Sequence, residues 1–440
     1  MSPTPIPRDI PLPLPANARF LELFLVIAFV LHILFVNLMV GGSLLVLGFE
    51  IRGLRERDYD RLARVIATAT TVNKSLAVVL GVAPLLLLNV LYTMHIYTAN
   101  ALTGTAWILL VPAIATTFLL LYLHKYSWDR LADRKGVHIG ILALAVALLL
   151  AIPLVFLANV NLMMFPERWT DVRGFLSALT LPNVFPRYFH FLCASLILTS
   201  LVGVWYFGRA STEVEAIFER FTRARIRREL YSVAFVVSLA QFIVGPVVLV
   251  TLPTKGLHSS VLAAILMGAL LAIPSVWMIW KEIASGDDVG KRLPLIATCL
   301  TLTVVCMAMG RQMYRGAALA EHKREMQRAT EQWLADSEQA AYDAEMGVVR
   351  AAAGVSEGQV LFTNNCSGCH AVDRKLVGPP LTEIAKLYEA RPEGIVTWAR
   401  SPGKKRPDTP QMPAFAIVGD TKLRKIAEYM LETGGKHGSP

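Results

Sequence analysis

Eight apolar runs constrain this 440-residue chain more than any motif in it. They lie near residues 20–50, 66–97, 104–124, 138–165, 188–208, 230–252, 259–280 and 293–314, and each reaches the roughly 20 residues that a helix needs to cross a bilayer. Only 17% of the residues are charged and 54% are hydrophobic, with a mean hydropathy of +0.49. Such a balance belongs to membrane proteins and sets soluble readings far behind. The expected fold is all-α: a polytopic transmembrane helix bundle of about eight spans, followed by something small and more polar.

The loops divide by charge. Odd-numbered loops carry eighteen basic residues: Arg52, Arg55, Arg57, Arg61 and Arg64; Lys125, Arg130, Arg134 and Lys135; Arg209, Arg220, Arg223, Arg225, Arg227 and Arg228; Lys281, Lys291 and Arg292. Even-numbered loops carry four, Arg168, Arg173, Arg187 and Lys255. Positive charge stays inside, so both termini are expected on the outer face of a bacterial inner membrane. The net charge of +10 is then a topology signal rather than a nucleic-acid stripe. The Pro-rich opening "MSPTPIPRDIPLPLP" has no cleavage pattern, which leaves the first span as its own uncleaved targeting signal. Cys193, Cys299 and Cys306 fall singly in apolar runs and read as small buried hydrophobes.

Beyond the last run the composition turns Ala-, Glu- and Gln-rich without proline, which predicts a helical linker. The organisation expected is a Pro-rich segment at 1–18, a membrane domain at 19–315, the linker at 316–353 and a small domain at 354–440. Within the last, "NNCSGCHAV" places Cys366 and Cys369 two residues apart with His370 immediately after. That spacing suits two thioether links to one haem and an imidazole on its iron. Zinc would need more ligands than this segment offers, and a thioredoxin motif would need a βαβ setting. "EGQVLFTNNC" supplies a short amphipathic helix, "VGPPL" at 377–381 a rigid loop, "QMPAF" the second ligand Met412, and "KLRKIAEYMLETG" a terminal helix. Met430 also lies in this domain, on the terminal helix. The order resembles a class I cytochrome c over about 80 residues, which implies one covalent haem c.

The first run reads "NARFLELFLVIAFVLHILFVNLMVGGSLLVLGFE", and His32 inside it is costly in lipid without a partner. The stretch resembles the first helix of cytochrome bd oxidase subunit I, with an Arg-x-Phe start, His-x-Leu-Phe-Val, a small-residue patch and a final Glu. "SWDRL" at 127–131, "LANVNLMMFP" at 157–166, "RYFHFLCAS" at 187–195, "AILMGA" at 264–269 and "MGRQMYR" at 309–315 resemble later pieces of that family in the same order. The resemblance spans nearly all of 19–315. It implies His190 and Met267 as ligands of a low-spin haem, His32 as ligand of a second haem, and Arg311 as the arginine of the family's Gly-Arg-Gln motif. Two b-type haems are expected, one of which the family would allow to be haem d. His190 and Met267 fall in the outer half of the bilayer and His32 near mid-depth, so an outer-to-inner electron path is expected.

Departures bear on the activity. Where the family's oxygen-reducing centre uses helix glutamates, this chain has Trp107, Ala115 and Ala308, and its quinol loop shrinks to "TLPTKGLHSS". His95 and His258 read either as haem or propionate partners or as interfacial residues. His124 and His138 read as solvated flanks of the third loop, with His124 an alternative neighbour of a quinone or haem. His322 and His437 read as surface residues. Glu22, Asn37, Lys74 and Asn89 are polar groups in or near spans, where they are costly; Lys74 and Asn89 mark either helix-packing contacts or a proton or propionate environment.

Two functions follow as expectations. The first is a subunit of a bd-like terminal oxidase or small-oxidant reductase fed by cytochrome c, with a second membrane subunit and a periplasmic redox protein as partners. The alternative is a non-catalytic conduit linking a quinone pool or partner dehydrogenase to periplasmic cytochrome c. No nucleic-acid partner is expected.

Overall fold

Every long apolar run becomes helix in the computed structural model, which describes residues 14–286, 289–345, 355–389, 391–405, 407 and 410–437, with the side chains of 71–75, 344 and 345 outside that description. Lys74 therefore lies outside the described side chains. The helices are α1 (Ala18–Gly53), α2 (Arg57–Leu91), α3 (Thr93–Leu102), α4 (Gly104–Ile108), α5 (Leu110–Tyr126), α6 (Lys135–Leu162), α7 (Phe175–Leu179), α8 (Val184–Gly208), α9 (Val214–Ile217), α10 (Arg223–Val250), α11 (Ser259–Ala284), α12 (Leu293–Glu345), α13 (Glu357–Asn365), α14 (Leu381–Tyr388), α15 (Pro392–Arg400) and α16 (Asp420–His437). No strand occurs among the described residues. Two compact units divide at Thr330 and Glu331, so the linker expected at 316–353 begins as an uninterrupted continuation of the last span.

Six helices are long and apolar enough to span a membrane, and a seventh span is the second run if its two pieces count together. That run is broken at Tyr92, where α2 and α3 meet at 109°. The third run yields α5, of 17 residues, the short end of what can cross hydrocarbon. The eight expected spans are thus six long helices, one bent pair and one short helix.

The bend at Tyr92 is held from far along the chain. Tyr92 is buried, Gln312 donates to its hydroxyl at 3.2 Å, and the Lys323 ammonium sits 4.2 Å from its ring centroid. Lys323 also donates to the Leu91 carbonyl at 3.1 Å, an oxygen that a continuing helix would otherwise occupy.

At the centre, α1 packs against α2, α6 and α8. Small residues let the backbones approach: a Cβ on Gly41 would meet the Ser195 carbonyl at 2.1 Å, and one on Gly42 would meet Thr70. Asn37 accepts from Ser195 Oγ at 2.9 Å and its carbonyl accepts from Thr199 at 3.2 Å, so its polar group is spent on helix packing. The Asn89 Oδ1 is buried without a described partner.

Charged contacts sort the loops into two ends, as the basic residues predict. At one end Arg64 pairs with Asp129 at 2.7 Å, Arg225 with Glu56 at 3.2 Å, and Arg228 donates to the Gly286 carbonyl at 2.8 Å, tying together the first, third, fifth and seventh loops. At the other, Lys255 pairs with Glu167 at 3.0 Å and Asn183 donates to Thr251 at 2.8 Å.

Asp58 anchors the basic end. It is 3% exposed and accepts from the backbone N–H groups of Glu219, Arg220 and Phe221 at 3.1, 2.6 and 2.9 Å, and from Arg61 at 2.8 Å. Burial alone would raise this carboxyl, but the donors outweigh it and hold the group below its ordinary value. A depressed carboxyl contributes its stability fully above the unfolded value of about 4 and loses it as pH falls through the folded value. Asp58→Ala is expected to cost about 2–3 kcal/mol, because three N–H groups lose a charged acceptor. Thermal melts of the detergent-solubilised protein at neutral and acid pH check this: the gap between wild type and variant should close on acidification.

In the second unit, α13, α14 and α15 pack on α16 around Leu361, Phe362, Leu381, Ile384, Leu423, Ile426 and Met430. Gly434 on α16 lies so near the Leu381 carbonyl that a Cβ would stand 2.1 Å from it. Met430 therefore serves this core at 5% exposure.

Candidate functional site

The Cys366–His370 segment caps α13, whose own start is capped by Ser356 accepting from the Gln359 N–H. Cys366 is half-buried and Cys369 exposed, and neither is in a disulfide. Burial, with Cys369 close by, pushes the Cys366 thiol up to about 11. His370 Nδ1 lies 2.8 Å from the Pro379 carbonyl. A carbonyl only accepts, so Nδ1 carries the proton and Nε2 is left with its lone pair. Gly378 lets the loop press on the ring: a Cβ there would stand 2.3 Å from His370 Cε1. The "VGPPL" loop thus sets both tautomer and orientation, the support that a metal-ligating histidine needs. Met412 packs half-buried against the same core. His, Cys, Asp and Glu donors gather within 4.8 Å in a group of three at one place among the described residues, and it is not here. The arrangement suits two thioethers on separate edges of a macrocycle.

His32 repeats the arrangement inside the bundle. Its Nδ1 donates to the Ala77 carbonyl of α2 at 2.9 Å, again leaving Nε2 with a lone pair, and a Cβ on Gly81 would stand 2.8 Å from its Cε1. His190 on α8 differs. Its Nε2 lies 3.0 Å from the Gln241 amide on α10, while its Nδ1 and the Gln241 Oε1 are buried without a partner. With the Gln241 amide nitrogen donating, Nε2 accepts and Nδ1 carries the proton; turning that amide lets its orphaned Oε1 accept from Nε2–H and frees the Nδ1 lone pair for an iron. Both histidines fit a haem.

Met267 on α11 is 53% exposed, and no described contact joins it to His190. Arg311 on α12 stacks its guanidinium 4.6 Å from the Phe29 centroid. Arg315, buried, bonds Gln312 at 3.3 Å and faces Tyr92. These two and Arg187 lie close enough to repel one another, Glu22 acts on Arg315 only from a distance, and among the described residues none has a carboxylate in ion-pair contact. Three poorly balanced guanidiniums suit an anionic group such as a haem propionate.

Of the other marked histidines, His95 is buried and lies 3.0 Å from His322 through their ring nitrogens, with Trp169 against both rings. His322 is therefore half-buried in a histidine pair rather than on the surface. His258 caps α11 and is exposed. His437 is exposed, as expected. His124 and His138 are not solvated: they are 1% and 0% exposed and both bond Glu50. The signal for them was the lone carboxylate that ends the first apolar run.

The cytochrome c family matches residues 355–434. Cytochrome c-551 of Pseudomonas denitrificans is 34% identical over 80 residues, which is 17% of this chain and 96% of that protein. The structure of bd oxidase from Geobacillus thermodenitrificans is similar with a TM-score of 0.55 and 14% identity, covering 68% of this chain and 86% of that one. At such identity the likeness is one of fold.

Proposed function

We infer that this chain, which over residues 355–434 belongs to the cytochrome c family and elsewhere has the bd oxidase fold, moves electrons between one covalent haem c and haems inside the membrane bundle. When bound, the haems supply reversible one-electron exchange at iron. Cys366 and Cys369 anchor haem c, and His370 and Met412 ligate it. His32 and His190 hold two b-type haems, one of which haem d would replace without changing the ligand; Met267 is the proposed partner of His190. Arg187, Arg311 and Arg315 take propionates. The observation that carries the reading is the repeated device at His32 and His370, a ring whose Nδ1–H is fixed on a carbonyl while a glycine admits it closely.

The leading form of this function is a bd-like terminal oxidase or small-oxidant reductase fed by cytochrome c. Its c domain would lie on the periplasmic side of a bacterial inner membrane, with a second membrane subunit beside the bundle. The conduit reading has its own support: Trp107, Ala115 and Ala308 can neither ligate iron nor carry a proton, and Trp107 packs edge-on against Phe156 at 5.2 Å. Carbon monoxide difference spectra separate the two. A CO-reactive haem, together with oxygen uptake driven by reduced cytochrome c and insensitive to quinol-site inhibitors, supports the reductase. A CO-silent protein leaves the conduit, and pigment that is wholly covalent ends both.

Gly81→Val tests the His32 site without touching a ligand. The added carbons must displace the imidazole, and loss of such support weakens metal binding by roughly tenfold to a hundredfold. Acid-acetone extraction should therefore release less haem per covalent haem c than from wild type. An unchanged ratio would remove His32 from the haem site.

A further inference from the structure

The basic end of the bundle holds a second cluster that the haem sites do not use. Glu50 from the last turn of α1, His124 from the last turn of α5 and His138 from the first turn of α6 converge with 1%, 1% and 0% exposure. Their donor atoms all lie within 4.8 Å of one another. Glu50 Oε2 is 2.8 Å from His124 Nε2, and Glu50 Oε1 contacts His138 Nδ1. The other ring nitrogen of His138, Nε2, donates to the His124 backbone carbonyl at 2.8 Å.

That last bond decides the chemistry. It puts the proton of a neutral His138 on Nε2, so Nδ1 presents a lone pair straight at a carboxylate oxygen. Two electron-pair donors in contact, shut away from water, require a cation between them. The ammonium of Lys135 ion-pairs with Glu50 Oε1 only from 3.5 Å, its shorter contacts being to Asp60 at 2.7 Å and to the Trp128 ring at 4.5 Å from the centroid. What remains is one carboxylate and two imidazoles, the rings 4.0 Å apart and walled by Trp128 at 5.0 and 4.8 Å. Such N and O donors from three separate elements, with a carbonyl fixing one tautomer, match the ligand chemistry of a first-row divalent metal.

We propose that Glu50, His124 and His138 bind one divalent transition cation of the zinc type, which staples the ends of α1, α5 and α6. Full burial makes it a structural ion rather than a solvent-exchanging one, with Oε1 and Oε2 of Glu50 and one nitrogen from each histidine as its four donors.

The test uses the purified full-length protein with its haems, passed over chelating resin and then equilibrated with ZnCl2. Elemental analysis should give about one non-haem divalent metal per chain. X-ray absorption at the zinc edge should show N/O neighbours with imidazole outer-shell scattering and no sulfur. Glu50→Gln and His138→Gln should each lower the retained metal by about tenfold or more, with the acid-acetone-extractable haem per covalent haem c unchanged as the control for folding of the bundle. Should either variant fail to accumulate, the absorption spectrum of the wild-type protein decides alone. A protein that stays free of non-haem metal overturns the proposal, and the cation is then a proton shared between Glu50 and His138. Sulfur neighbours, or metal retained in both variants, overturn it equally by placing the ion elsewhere.

Discussion

Serine in place of both Cys366 and Cys369 is expected to abolish covalently attached haem, with no haem-stained band left after denaturing electrophoresis. A hydroxyl forms no thioether with the macrocycle, and His370 alone would hold it only by a coordinate bond. The loss should be confined to the second unit, whose core is built apart from the membrane cores. Non-covalent haem released by acid acetone should therefore persist at the wild-type amount. If the c haem is the entrance for electrons, as in the proposed reductase, their delivery from reduced cytochrome c should fall by about a hundredfold or more, since removing a carrier costs more than mis-setting one ligand. A covalent haem surviving the double substitution would show that the pigment is attached elsewhere.

The second large effect is expected from His190→Ala, which should eliminate one low-spin b-type signal and leave the haem c spectrum intact. The substitution removes the imidazole whose Nδ1 is buried and unsatisfied and leaves the Gln241 amide facing a void. A methyl cannot ligate iron, so the signal should fall to about zero rather than shift. Reduced-minus-oxidised spectra, normalised to covalent haem, measure it directly. Gln241→Leu is the companion: it keeps the ring but strips its described polar neighbour, and should move the potential of the same haem without removing it. An unaltered b-type spectrum in His190→Ala would disconnect this residue from any haem.

Much of the architecture was legible because hydrocarbon imposes a simple rule on long stretches of chain. The apolar runs, their order and the basic ends all appear in the linear pattern. The break at Tyr92 does not. No proline or glycine stands there, and the bend is held by Gln312 and Lys323, more than two hundred residues away. The cytochrome c likeness was readable because the Cys366, Cys369 and His370 spacing is local, and the structure adds the carbonyl that orients His370. The Glu50 cluster escaped for the opposite reason. Its members lie 74 and 88 positions apart along the chain, and the basic loop around His124 and His138 gave them the look of solvated residues. His322 was misread similarly, since its partner His95 lies on a distant helix. Met267 stands between these cases. Its role was inferred by resemblance, and its side chain is half exposed on α11.

The paired device at His32 and His370 has a consequence for how fast charge can flow. An imidazole wedged between a carbonyl and a glycine would have no room to swing if, as proposed, the iron bound to it gained or lost an electron. The nuclear rearrangement that accompanies each hop is then small, as in any preorganised polar site. Both halves of the chain would share this stiffness, so that neither becomes the slow step for want of a settled ligand.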